Sequence, residues 1–264
     1  MNTDLHGFRA WLGPPGPSAF VVLALSVLLL TACAESDPYR RLEAKLLEKP
    51  ISTQVVSTHL EIRWPTQFKT VQTVTIDFGP VTKTFNALLI IQRPGKFRLQ
   101  GMTEQGIKIF ELAHNEQGDH VLFKADEVTD QTIASISRDI QRVYLTEIKE
   151  PFEVMNDGAF VCVQKDHFDL RTRLRLAYFP DVPLTRYGLK ESLFVDAQEM
   201  TSGEGRLYRF DQYEWAATAD YFIPHVIVLR DSGRESKSYP YKLTIKISDL
   251  TVRDTPWPEK TFKP

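Results

Sequence analysis

Lys242-Leu243-Thr244-Ile245-Lys246-Ile247 alternates polar and apolar side chains without a break. A strand sends successive side chains to opposite faces, so this stretch predicts a β-strand with Leu243, Ile245 and Ile247 on a buried face. The same period runs upstream, where Leu174, Leu176 and Tyr178 alternate with Arg173, Arg175 and Ala177, and Leu60, Ile62 and Trp64 with Glu61 and Arg63. It begins near Thr53 and persists almost to the C-terminus. Turn signals recur between the strands at Arg93-Pro94-Gly95, Glu104-Gln105-Gly106, Glu116-Gln117-Gly118 and Asn156-Asp157-Gly158. This spacing predicts a mainly β chain whose antiparallel sheet curls toward a barrel.

The period changes once within that region. From Asp130, which can cap a helix, Ile133, Ile136, Ile140 and Val143 fall three and four apart through a run free of Gly and Pro. An amphipathic stripe has to be buried, either as core plugging the open end of the sheet or as a lid over a cavity. A second helix is expected over Tyr39 to Glu48, with Leu42, Leu46 and Leu47 on one side and Pro50 stopping it. Phe179 to Leu189, with Pro180 and Pro183, reads as an exposed loop. The tail from Thr255 to Pro264 is Pro-rich and reads as extended.

Near the start of the chain, Ala19 to Leu30 is apolar but for Ser26, and Leu30-Thr31-Ala32-Cys33 closes it. The run is too short for a bilayer span, which takes about 20 residues, and matches the apolar region of a secretory signal. Ending in small residues and a cysteine, it resembles a bacterial lipobox. That resemblance implies acylation of Cys33 and cleavage before it. Ala34 stands where the usual inner-membrane retention signal places Asp, so the expected location is the periplasmic face of the outer membrane. The expected organisation is a signal over 1–32, a lipidated tether and helix over 33–52, the β domain over 53–254 and the tail over 255–264.

Removing 1–32 takes away one Arg and one Asp and leaves the formal charge at -2. Nothing in that balance suggests a nucleic-acid partner. With Cys33 acylated, Cys162 is the remaining cysteine, so no intrachain disulfide can form. Between Val161 and Val163 it reads as an inert core thiol. Catalytic patterns are missing: there is no Gly-x-Ser-x-Gly, no His-Glu-x-x-His, no phosphate-cradling glycine loop and no paired-cysteine motif. His114 and His120 flank the Gly118 turn without a third ligand in evident register, and Asp166-His167-Phe168-Asp169 reads as a turn. No metal, cofactor or catalytic residue is expected.

Two longer segments resemble the LolA/LolB-type lipoprotein carriers. One is Leu89-Ile90-Ile91-Gln92-Arg93-Pro94-Gly95-Lys96-Phe97-Arg98-Leu99-Gln100-Gly101 followed by Ile107-Lys108-Ile109-Phe110-Glu111-Leu112; the other is Phe222-Ile223-Pro224-His225-Val226-Ile227-Val228-Leu229-Arg230-Asp231 with Tyr241 to Ile245. The resemblance implies an incomplete antiparallel β-barrel, a half-barrel, wrapped round a helix-covered cavity that receives acyl chains. The lipobox points to its membrane-anchored branch. Extra length between about Pro151 and Arg206, and a helix before the first strand, depart from the family and point to a branch of undefined cargo.

A curled sheet with an open mouth leaves an apolar cleft on its inner face. Expected lining residues are Phe97, Leu99, Ile107, Ile109, Val121 and Phe123 from the early strands. Leu243, Ile245 and Ile247 come from the late strand, and Ile133, Ile136 and Ile140 from the helix. The leading reading is a monomeric, non-enzymatic outer-membrane lipoprotein that binds or transfers a lipid, lipoprotein or lipid-linked molecule. Its partners would be membrane lipid through Cys33, an apolar ligand and envelope transport or export proteins. The alternative is a structural or regulatory adaptor of an envelope complex. A cavity above about 300 Å³, the lower end for ligand pockets, would favour the carrier.

Overall fold

The strand that opens the sequence reading, β12 (Tyr241–Val252), pairs antiparallel with β1 (Gln67–Phe78), so the two ends of the β region meet in the middle of one sheet. From there the sheet grows outward by hairpins on both sides. The computed structural model describes residues 37–180, 192–218, 221–234 and 239–264; Cys33 and its signal, and most of the expected loop over Phe179 to Leu189, lie outside them. On one side of β1 stand β2 (Val81–Gln92), β3 (Lys96–Met102), β4 (Lys108–Asn115) and β5 (Gly118–Lys124). On the other side of β12 stand β11 (Tyr221–Asp231), β10 (Gly205–Thr218), β9 (Ser192–Ser202), β8 (Leu170–Phe179), β7 (Phe160–His167) and β6 (Glu153–Asp157). All twelve strands form one sheet with β5 and β6 as its unpaired edges. Its register shifts in five strand pairs, and each such bulge adds bend and twist. The outcome is an open half-barrel.

The order of strands decides where the helix goes. β5 and β6 follow each other in sequence but sit at opposite edges of the sheet, so residues 125–152 have to cross it. They cross the concave face as α2 (Asp130–Ile140) and a π-helical turn (Gln141–Leu145). Thr129, not Asp130, caps α2: its Oγ1 accepts from Thr132 N at 3.1 Å, and Asp130 sits in the first turn, where a carboxylate complements the helix dipole. Residues 39–264 form one unit around a core on this concave side.

A helix does precede the first strand, over residues read from the sequence as the first β region. It is α1 (Thr53–Ile62), with Ser52 as its cap. The Leu60–Trp64 alternation is too short to compete with Val56 and Leu60, which lie one helical turn apart and are buried on Val161, Val163, Leu174 and Leu176. Pro65 then ends it. Conversely, Tyr39 to Glu48 is not helical. An isolated helix of ten residues is marginal, and here the sheet offers its backbone better partners: Lys45 N donates to Tyr178 O and Leu47 N to Gly158 O, both at 3.0 Å. Arg41 seals this strap to the outer face through Asp196 and Asp211, at 3.1 and 2.8 Å.

The C-terminal tail is also docked. A 3-10 turn (Glu259–Phe262) buries Phe262 to 1 % exposure, while Arg98 donates to Thr261 O and Asn115 to Phe262 O. Gly101 sits opposite Phe110, and a Cβ there would fall 2.3 Å from its ring. Glycine at this position lets the ring lie flat across β3, edge-on to Phe85 at 5.6 Å.

Candidate functional site: a cavity between the crossing helix and the sheet

β1 and β12 turn Val74, Ile76, Leu243 and Ile245 inward, and α2 lies over them without touching everywhere. Between them is a cavity of about 230 Å³, smaller than the 300 Å³ expected. Val74 pairs with Ile245 and Ile76 with Leu243, so the four form one apolar patch, extended by Phe85 and Leu99. Ile136 and Ile140 close it from the helix. Of the expected lining residues, the structure therefore brings together Leu99, Ile136, Ile140, Leu243 and Ile245. Phe97, Ile133 and Ile247 face the same core but are packed solid, and Ile109 is partly buried against it. Ile107, Val121 and Phe123 do not line the cavity: Ile107 lies beside the Gly106 turn, the other two lie on the edge strand β5, and all three are exposed. Period two gives a strand its faces but not its distance from the sheet edge.

The stripe of α2 splits in two. Ile133 and Ser137, one turn apart, press on β4 and β5, whereas Ile136 and Asp139 look into the cavity. At its C-terminal end the helix is bolted down by buried polar groups. Tyr241 donates to Asp139 Oδ2 at 2.6 Å, and Arg142 donates to Asp231 at 2.5 Å and to Asp139 at 3.2 Å. The Arg142 guanidinium lies 4.2 Å from the centre of the Tyr208 ring. Tyr144, wedged between Trp64 and Phe68, donates to Gln72 Oε1 at 3.2 Å. The N-terminal end is held by other means: Ile133 and Val128 pack on the core, Ala125 N donates to Ile109 O at 2.9 Å, and an exposed ion pair joins Lys124 to Asp130. Burial pushes Asp139 up to about 6, against the opposing hydrogen bond from Tyr241 and charge of Arg142.

These polar groups, and Val74, Ile76 and Phe85, escaped the sequence reading. Val74 and Ile76 obey the period-two rule and were open to it. Asp139 and Arg142 carried one faint signal, two opposite charges three residues apart beside an apolar stripe. Tyr144, Gln72 and Asp231 carried none.

Ser137, Asp119 and His114 do converge beneath α2, but not as a nucleophile and base. Asp119 Oδ1 accepts from Ser137 Oγ and meets His114 Nδ1, each at 2.7 Å, so the hydroxyl is spent on the carboxylate and His114 bonds Asp119 rather than Ser137. His114 stacks on Phe97, while His120 pairs with Ala113 and so points to the other face, toward Asn115. Among the described residues no group of three metal-ligating side chains forms. Cys162 is half-buried on the outer face opposite Arg175, between inward-facing Val161 and Val163. Burial and the charge of Asp157 push its thiol up.

No family model and no curated protein matches the sequence. Solved structures match the fold. A LolA superfamily protein from Nitrosomonas europaea, 11 % identical, aligns over 81 % of this chain and 99 % of its own, with a TM-score of 0.53. A putative outer membrane lipoprotein-sorting protein domain from Vibrio parahaemolyticus, 8 % identical, covers 79 % and 94 % at 0.46. A DUF1329 family protein from Desulfovibrio piger, 9 % identical, covers 79 % and 93 % at 0.41. The chain has a LolA/LolB-like fold.

Proposed function

We propose, with the LolA/LolB-like fold as the premise, that this is a non-enzymatic envelope protein that holds an apolar chain in the cavity beneath α2 and passes it on. The observation that carries this reading is the apolar lining of the cavity beneath α2, not its volume, which falls short of the 300 Å³ that would by itself favour a carrier over an adaptor. Protein interiors are close-packed, and a space lined by Val74, Ile76, Phe85, Leu243 and Ile245 is poorly filled by water. Its size suits one chain better than several. The buried polar bonds of α2 lie toward its Tyr144 end, which supports access at the Thr129 mouth, between Ile136 and the sheet, with Ile133 kept in the core. The lipobox supports acylation of Cys33 and anchoring on the periplasmic face of the outer membrane, with envelope transport or export proteins as exchange partners.

The test is binding of the neutral apolar dye N-phenyl-1-naphthylamine, together with mass spectrometry of what organic solvent extracts from the native protein. We expect dye binding that is displaced by single-chain lipids. A folded protein that binds no dye and yields no lipid would leave the adaptor reading in its place. Anchoring is tested separately. Cys33→Ser should release the protein into the soluble fraction or leave its precursor uncut, and a mature N-terminus that is unmodified or starts elsewhere would refute the lipoprotein assignment.

A further inference from the structure

The cavity has an open end and a shut one. Along β1 the register sets Gln72 beside Ile247 at one end of the apolar patch, and Asp77 beside Lys242 at the other, which brings Phe78 level with Tyr241. The Phe78 end is the mouth. Tyr239 lies just before Tyr241, Thr129 and Gln131 lie at the end of α2 away from Tyr144, and all three are exposed on the rim. The Gln72 end is blocked. Gln72 Oε1 accepts from Thr70 Oγ1 at 3.3 Å and from Tyr144 Oη at 3.2 Å, so its side chain is held across the cavity from two sides. Beyond it on the same face of β1 come Thr70 and Phe68, both fully buried, and Trp64 and Tyr144 pack on Phe68. Thr70, Phe68 and Trp64 do not line the cavity.

Depth and volume then limit what fits. At about 3.3 Å per strand residue, the apolar wall from Val74 to Phe78 is about 13 Å long. An extended peptide covers about 3.5 Å with three backbone bonds, so a saturated chain advances about 1.2 Å per bond and spans this wall with about eleven carbons. Volume gives a similar figure. An apolar cavity of about 150 Å³ takes one benzene, so by the same ratio about 230 Å³ takes roughly nine carbons. A longer chain meets Gln72 and has no room left except back through the mouth.

Resting on the carrier reading above, we infer that the cavity is a length gauge. It buries about nine to eleven carbons of one saturated chain, stopped by Gln72 and Tyr144, and leaves the head and any further carbons at the mouth. The cargo class is a medium-chain, single-chain lipid.

Displacement of N-phenyl-1-naphthylamine by 1-alkanols of four to fourteen carbons tests it, since the series changes length under one uncharged head. Each added methylene should lower the half-displacing concentration about fourfold until the cavity is full, near ten carbons, and less than about twofold beyond. Val74→Phe adds about four carbons to the wall and should bring the break about three carbons earlier. Gln72→Ala shortens the side chain that blocks the inner end and should bring the break later. If wild-type protein binds the dye but the gain continues unbroken to fourteen carbons, the inference fails while the carrier reading stands. A break that stays in place in either folded variant overturns it equally, because the walls would then not set it. If the dye is not bound at all, both fall. Should one variant not fold, the wild-type series and the other variant decide the matter.

Discussion

Asp139 links the site to stability. Burial raises it to about 6 from 3.8, so between these values the folded protein binds a proton that the unfolded chain does not. Stability from this group therefore rises as pH falls from above 6 toward 4. Asp139→Asn should raise the melting temperature more at neutral pH than near pH 5, a comparison that thermal melts at the two values make directly. Below about 4.5 the trend reverses. Burial opposes it, but hydrogen bonds from Lys108 and Arg98 hold Glu111 low, and those from Arg209 and Arg41 hold Asp211 low. Their contribution is lost on protonation. Arg142 is costly to remove: Arg142→Ala leaves Asp139 and Asp231 buried without their shared cation and should cost about 3–5 kcal/mol in denaturant unfolding.

At the scale of the element, α2 is two half-helices in one. Ile133 is 3 % exposed and packed on β4, so Ile133→Asp should unfold the domain. Ile136 faces the cavity, so Ile136→Asp should keep its far-ultraviolet circular dichroism and lose dye binding. Equal loss of structure in both would make α2 plain core. On β3, Gly101→Val sets a side chain against the Phe110 ring and should cost about 1–3 kcal/mol through overpacking, read as a shift in the denaturation midpoint. β7 places Cys162 differently. The thiol is reached by solvent, so a maleimide should label it in the folded protein, though slowly because its ionisation is disfavoured.

The whole molecule is one sheet held from three sides. α1 packs on β7 to β9, and α2 with its π-helical turn shares the core of β1 to β4 and β10 to β12. The strap from Tyr39 crosses the outer face, where Arg41 links Asp196 with Asp211, which Arg209 and Arg230 also hold. These pairs are partly exposed, so each contributes modestly and together they set the path of the strap. On the same chain the tail packs Phe262 against β3 and β4. Deleting residues 255–264 should therefore lower the melting temperature measurably, because it removes the buried Phe262 from its seat on the sheet and deprives Arg98 and Asn115 of their carbonyl partners.

What the sequence determined by itself was the class of fold and its inner face. Period two at Leu174–Tyr178 and Leu243–Ile247, the turns at Gly95 and Gly118, and the helical spacing of Ile133, Ile136 and Ile140 are local signals, set by the geometry of strand and helix. They held for most strands and for α2, but could not place Ile107, Val121 and Phe123, which are exposed at or near the sheet edge. They failed at Tyr39–Glu48 and at Leu60–Trp64, where backbone bonds to β8 and to the turn between β6 and β7, and burial on a sheet more than a hundred residues away, outweighed local preference. Tertiary structure alone decided that β1 meets β12 and that β5 and β6 become edges, which is what sends residues 125–152 across the concave face. It also decided where α2 stands off far enough to leave a cavity, and brought Gln72, Asp139, Tyr144 and Tyr241 to its walls. No spacing along the chain encodes those meetings, because each joins residues from different elements through the closure of the sheet.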